Sequence, residues 1–557
     1  MDRRLLAPLA IIVCGAGYFV WTRVQGARDQ TTAASSGAAA PTAPTATHVI
    51  ATYVGTETCA SCHAAETERW RGSHHALAMQ PARESTVLGD FDGATFDYHG
   101  VVTTFTKRDG KFFARTDGSD GALHDFEIAY TFGVAPLQQY LIAFEGGRIQ
   151  ALNVCWDVRP KELGGQRWFH LYPKENVTHD DILHWTGPYQ NWNHMCAECH
   201  STNVHKNYDA AKDSFATSWS EIDVACEACH GPASEHVAWA KTHPRGATGA
   251  SSISSDDRAS HLGFVASLRE AEPGSWVMDA ATGIAKRSKP RTSDVEIETC
   301  ARCHSRRSQL AEDWLPGHPI GDTHRVSWLE PLLYEDDGQI KDEVYEYGSF
   351  LQSKMHAAGV TCSDCHDPHA LALPPDNRVC AKCHASDRFD TQSHHHHVAN
   401  AASAPKRDGT RCIDCHMPTR DYMVVHTRHD HGFRVPRPDL TVTIGTPNAC
   451  ASCHADHLAS WASDAAAKWW STKRAQEPSW ADALHLGNHD LPGAATALTN
   501  VAADAKTPGI VRASAIALLA DHLTRSTAPA VANALLDADP IVRLASATAL
   551  SHVDPEL

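Results

Sequence analysis

The chain has 557 residues, of which 42 % are hydrophobic and 21 % charged, and its formal net charge is −17. That length accommodates several hydrophobic cores, and the acidity argues against nucleic acid or an anionic membrane surface as a partner. Two residue types are in excess, histidine at 37 and cysteine at 18.

In chain order, residues 1–26 come first. Arg3 and Arg4 precede an almost wholly apolar run from Leu5 to Trp21, followed by Thr22 and Arg23. A basic start and a long apolar stretch read as an export signal, and the run is at the lower limit for spanning a bilayer. No small-x-small cleavage site follows Trp21 directly, and Val13 before Cys14 does not suit lipidation. The expectation is an uncleaved N-terminal membrane anchor, with a cleaved signal peptide as the alternative. In either case the body lies in the periplasm or at the cell surface. Residues 27–50, rich in Ala, Ser, Thr, Pro and Gly, read as a flexible tether.

Residues 51–80 carry the first of eight Cys-x-x-Cys-His motifs. Residues 81–190 carry none. Strand-like segments fall around Thr95–Tyr98, Val101–Thr106, Lys111–Arg115, Phe126–Thr131 and Arg148–Val154. The turn dipeptides Asp92-Gly93, Asp109-Gly110, Asp117-Gly118 and Gly146-Gly147 lie among them. This stretch reads as a small β-rich insertion.

Residues 191–460 hold the other seven motifs, with short helical patterns and too few apolar residues for an ordinary core. Residues 461–557 turn to Ala- and Leu-rich helices. Here Val511 recurs as Val542 and Leu519 as Leu550, the period of short HEAT-like helix pairs. Two ordinary amphipathic helix pairs are the alternative. The expected fold is a mainly α multihaem cytochrome with little regular secondary structure, a small β-rich insertion and a helical HEAT-like tail.

The motifs carry the chemistry. Their paired thiols are Cys59 and Cys62, Cys196 and Cys199, Cys226 and Cys229, Cys300 and Cys303, Cys362 and Cys365, Cys380 and Cys383, Cys412 and Cys415, and Cys450 and Cys453. The histidines that follow are His63, His200, His230, His304, His366, His384, His416 and His454. Two thiols at this spacing reach the two vinyl groups of one haem, and the next histidine reaches the iron. A zinc reading leaves unexplained why every pair is followed by histidine. Eight covalently bound haem c groups are expected, and macrocycles in place of an apolar core.

The sixth iron position then decides function. His75, His236, His369, His397 and His431 lead the candidates, because they sit beside motifs or in compact Gly/Pro-containing turns. His74, His324, His356, His394, His426 and His429 are weaker candidates, and not all of His394–His397 can be ligands. Arg434 and Arg437 could pair with haem propionates. Trp185, Tyr189 and Trp192 are expected to pack on haem faces, and Cys155 to be a buried inert thiol.

The eight motifs, the long gap after the first, and the strings Val224-Ala225-Cys226-Glu227-Ala228-Cys229-His230-Gly231-Pro232 and Gly359-Val360-Thr361-Cys362-Ser363-Asp364-Cys365-His366 resemble bacterial octahaem and doubled-CxxCH cytochromes. The chain is also similar to multihaem cytochromes with C-terminal HEAT or tetratricopeptide repeats. The resemblance covers about residues 53–460. The superfamily includes hydroxylamine oxidoreductase and the octahaem nitrite and tetrathionate reductases. It implies closely stacked haem pairs, mostly with two histidines per iron. No motif ends in lysine, unlike the active-site haem of ammonia-forming nitrite reductases.

Three functions are compatible with these residues. The first is an electron-transfer protein between redox partner proteins, with basic partners favoured by the chain's acidity. The second is an oxidoreductase acting on a small nitrogen or sulfur compound at one open haem. The third is a binding scaffold whose tail recruits partners.

Overall fold

The computed structural model describes residues 50–243, 261–370, 373, 376–398, 409–470 and 479–551. The expected export signal or anchor and the tether lie outside the described residues. Residues 51–557 form one compact unit, and no helix among the described residues is long and apolar enough to cross a membrane.

The N-terminal part is dominated by a nine-stranded antiparallel sheet. Its strands are β1 (Met79–Pro81), β2 (Asp92–Tyr98), β3 (Val101–Arg108), β4 (Lys111–Asp117), β5 (Leu123–Phe132), β6 (Leu137–Ala143), β7 (Ile149–Ala151), β8 (Val154–Asp157) and β9 (Arg167–His170). The path runs β2-β3-β4-β5-β6-β8-β9, with β1 on β5 and β7 on β6. Asp109 and Gly110, both at positive φ, make the tight β3–β4 turn. Asp92-Gly93, by contrast, lies within β2 where its register with β3 shifts.

The two ends of this path meet through side chains. Tyr98 of β2 stacks on His170 of β9, with ring centres 3.5 Å apart and planes 14° apart. Its hydroxyl donates to the carbonyls of Tyr172 and Glu175, at 2.9 and 2.6 Å. The interior is aromatic: Phe105 lies flat on Trp168 at 3.5 Å, and Phe91, Tyr140 and Trp156 pack around them.

This overturns the expectation of a small β-rich insertion in a mainly α protein. Strand makes up 19 % against 36 % helix, and the sheet is large and nearly closed. The missed strands have a physical reason. β6 is buried from Leu137 to Ile142 and β8 along its whole length, so neither alternates polar with apolar residues.

The sheet also positions a motif. Met79, Leu141, Ile149 and Ala151 share a core with Trp192, Ala197 and Val204, which seats the second motif against the sheet. The first motif is tied to the third. The buried Glu227 carboxylate accepts from the backbone N–H groups of Val54 (3.0 Å), Gly55 (2.8 Å) and Ala233 (2.9 Å).

Beyond residue 190 the elements are short helices and two-stranded hairpins. The C-terminal helices Trp480–Asn488, Ala494–Ala503, Gly509–Leu519, Ala528–Asn533 and Pro540–Leu550 form one core with Trp328, Leu329, Tyr334, Ile340 and Val344. Val511 and Val542, the recurring pair, are both fully buried in it.

Candidate haem sites

Each motif lies on a short helical turn. The His63 N–H donates to the Cys59 carbonyl (2.8 Å), and the same link joins His366 to Cys362, His384 to Cys380 and His454 to Cys450, each at 2.9 Å. That i→i−4 geometry brings the two thiols and the imidazole to one side of a single turn. All seventeen described cysteines are free of disulfides.

Six of the eight motif histidines face a second imidazole at nearly constant distance. Ring centres are 6.2 Å apart for His63 and His236, and 6.3 Å for His304 and His75. They are 6.3 Å apart for His230 and His369, and for His366 and His431. They are 6.2 Å apart for His416 and His394, and for His454 and His397. Metal–nitrogen bonds of ~2.0–2.1 Å, plus roughly 1 Å from each nitrogen to its ring centre, give about 6 Å across one ion. His395 and His397 also lie 6.4 Å apart, but as close neighbours in the chain with no attachment thiols.

Hydrogen bonds orient these rings. Nδ1 of His236 is 2.8 Å from the Leu262 carbonyl, and that of His431 3.0 Å from the His429 carbonyl. On the motif side, Nδ1 of His416 meets the Arg434 carbonyl at 2.7 Å, and His304 meets the Glu346 carboxylate at 2.8 Å. With Nδ1 so engaged, Nε2 is left for a metal. Burial, then the charge of His369, pushes the His230 imidazole down to about 4. Burial likewise lowers His366. A lowered value favours the neutral imidazole that ligation requires.

A cavity of about 3190 Å³ is lined by parts of the first, third, fourth and fifth motifs and by His75, His236, His369 and His431. Its thiols and imidazole pairs are the donor set that a covalently attached haem needs, and the residues present fit that group. Thiols of different motifs also meet. Cys59 contacts Cys226, Cys199 contacts Cys303, Cys300 contacts Cys362, and Cys380 contacts Cys412.

Two motif histidines differ. Among the described residues, no second imidazole stands at this spacing from His200 or His384. His200 is packed beside Phe132, ring centres 4.2 Å apart, and its Nδ1 is buried with no hydrogen-bond partner. Burial lowers its imidazole to about 4. His384 meets the ring of Phe389, with centres 5.7 Å apart.

The five leading sequence candidates, His75, His236, His369, His397 and His431, each lie opposite a motif histidine. His394 does so as well, although the sequence ranked it lower. Its signal was the run His394–His397, which turns at His396 in the left-handed region and so aims its two ends apart. Of the weaker candidates, His324 and His356 use Nε2 elsewhere, on Glu198 at 2.8 Å and Arg291 at 3.0 Å, whereas His429 meets the Met417 carbonyl through Nδ1 at 2.9 Å.

The expectations for the two arginines and the two tryptophans are corrected. Arg434 is occupied by Asp430 (3.1 Å), Gln352 (3.0 Å) and the carbonyls of Asp337 and Gly338, and Arg437 by Asp439 (2.7 Å). Trp185 packs in the sheet interior with Phe126 and donates to the Asp117 carbonyl, and Trp192 packs on Trp219. Tyr189 is exposed. Cys155 is fully buried, and that burial raises its thiol pKa, as expected of an inert group.

The family model for cytochrome c554 and c-prime matches residues 58–90 and 173–231, which contain the first three motifs. No curated protein matches the chain. The solved structure of the outer cell wall cytochrome OcwA aligns at a TM-score of 0.45 and 16 % identity, over 89 % of this chain and 99 % of that one. The repeated motifs and the family match together support a multihaem c-type cytochrome, a protein of electron transfer that carries haem c on thioether bonds.

Proposed function

We propose that this chain is an octahaem electron carrier of the periplasm or cell surface, held at a membrane by its N-terminal segment and working between a donor and an acceptor protein. The observation that carries the reading is the set of six imidazole pairs at 6.2–6.3 Å. Haem, when bound, supplies one-electron redox chemistry. The chain's own part would be to offer an imidazole on either side of six of the irons, which leaves small ligands no open position at those six. Contacts between thiols of different motifs favour closely spaced sites: first beside third, second beside fourth, fourth beside fifth, sixth beside seventh.

A second reading rests on His200 and His384, which face no imidazole among the described residues. An iron held there by the motif histidine alone is open to a small nitrogen or sulfur compound, such as hydroxylamine, nitrite or tetrathionate. At His200 the surroundings are polar on one side. Tyr345 is half-buried near the Cys196 and Cys199 thiols, and the Arg428 guanidinium lies 4.9 Å from the Tyr345 ring centre.

Electron paramagnetic resonance of the oxidised holoprotein, with haem counted by pyridine haemochrome, tests both. The carrier reading expects eight haems per chain and at least six low-spin irons. A preparation with fewer low-spin irons than six overturns the ligand pairs. High-spin signals that shift on adding nitrite or hydroxylamine select the enzymatic reading, and eight low-spin irons remove it.

A further inference from the structure

Away from the motifs, the tail meets the body through a compact set of metal-ligating side chains. His485 and His489 are four residues apart at the end of the helix Trp480–Asn488, and therefore share one face. Asp336 comes from the loop between Tyr334 and Ile340, which packs in the same core as that helix. The Asp336 Oδ2 atom lies 2.7 Å from His485 Nδ1 and 3.1 Å from His489 Nε2. One nitrogen from each imidazole and one carboxylate oxygen all lie within 4.8 Å of one another.

We propose that Asp336, His485 and His489 bind a divalent transition-metal ion of the zinc class, which clasps the C-terminal helices to the haem-bearing body. Two imidazoles four residues apart on a helix are a recurrent metal-binding pair, and a carboxylate completes a set of two nitrogens and one oxygen. That set suits zinc, nickel or copper, whereas calcium and magnesium require oxygen ligands.

The geometry needs little adjustment. Ligands at ~2.0–2.1 Å around a tetrahedral ion stand roughly 3.3 Å apart, so His485 draws back from Oδ2 by about 0.6 Å and His489 by about 0.2 Å. Asn488 Nδ2 donates to the other carboxylate oxygen at 2.7 Å and sets its orientation, the usual task of a group just outside a metal's ligands. Asp336 is half-buried, whereas His489 is exposed with a side-chain accessibility of 54 %, so the fourth position opens to water and to an incoming ion.

The site is one peptide bond from Asp337, whose carbonyl takes a hydrogen bond from Arg434 at 2.8 Å. Arg434 in turn exchanges two backbone contacts with His416, its N–H to the His416 carbonyl and its carbonyl to His416 Nδ1. The ion therefore reinforces the seam between the tail and the seventh motif.

The test uses haem-loaded protein, stripped with a chelator, dialysed against micromolar zinc and analysed for zinc per iron by mass spectrometry. Wild type is expected to retain one more zinc per chain than His489→Ala or Asp336→Asn, with affinity at least tenfold higher. Zinc, but not calcium, is expected to raise the melting temperature of wild type and not of His489→Ala. The His489 side chain is exposed, so its variant is expected to keep the haem spectrum and serves if Asp336→Asn folds poorly. Binding at the other surface histidines is common to all three proteins and cancels. Equal zinc in wild type and His489→Ala, or equal stabilisation by calcium, overturns the proposal.

Discussion

The imidazoles of His230 and His369 lie 6.3 Å apart and within 5° of parallel, although two further motifs separate them in the chain. Nothing local dictates this. The pairing arises because the segment after the fifth motif, tied by Asp367 to Arg69 at 2.6 Å, returns across the third. His369→Met is therefore expected to raise the potential of one haem by on the order of 100 mV, a fraction of the ~0.8 V that axial ligands span. A spectroelectrochemical titration reads this directly, and an unchanged titration removes His369 from the ligands.

Attachment predicts a stoichiometry. Replacing Cys226 and Cys229 together with alanine is expected to lower haem per chain by one part in eight, by pyridine haemochrome and by intact mass. Loss of no haem shows that the pair carries none.

The sheet should respond to loss of its aromatic interior. Phe105 is fully buried and stacked on Trp168, so Phe105→Ala is expected to cost about 3–5 kcal/mol. Denaturant unfolding followed by far-ultraviolet circular dichroism measures it.

How much of this was legible in the sequence depends on the range of each interaction. Cysteine attachment and the motif histidines are encoded within five residues, and the turn at Asp109-Gly110 within two. The ring contact of Tyr98 with His170, which brings the sheet's edges together, is long-range and leaves no periodic trace. β6 hid for another reason, because a strand buried on both faces lacks the alternation that identifies one. Arg434 looked free to meet a propionate, but Asp430 four residues before it and the distant Asp337 carbonyl already occupy its guanidinium.

A titratable contact inside the sheet sets an acid limit. Burial alone would raise the Asp117 carboxyl, but the hydrogen bond from His184 at 3.2 Å, its charge and the Thr116 hydroxyl outweigh that and hold it below the ordinary value. A depressed native value contributes stability that is present above the unfolded value of ~3.9 and lost as pH falls through the native one. Wild type is therefore expected to lose part of its stability below about pH 4. Asp117→Asn is expected to be about 1–3 kcal/mol less stable at neutral pH and to show a flatter acid profile. Urea midpoints between pH 2 and 7 compare the two.

The meeting of Cys199 with Cys303 bears on how the protein is made. The contact with Cys199, helped by the charges of Arg302 and Arg307, holds the Cys303 thiol below its ordinary value and so favours its reactive thiolate. In an oxidising compartment, a chain that collapsed before modification would join these two sulfurs as a cross-link and block both attachment sites. Loading each thiol pair before the chain compacts would avoid that cross-link.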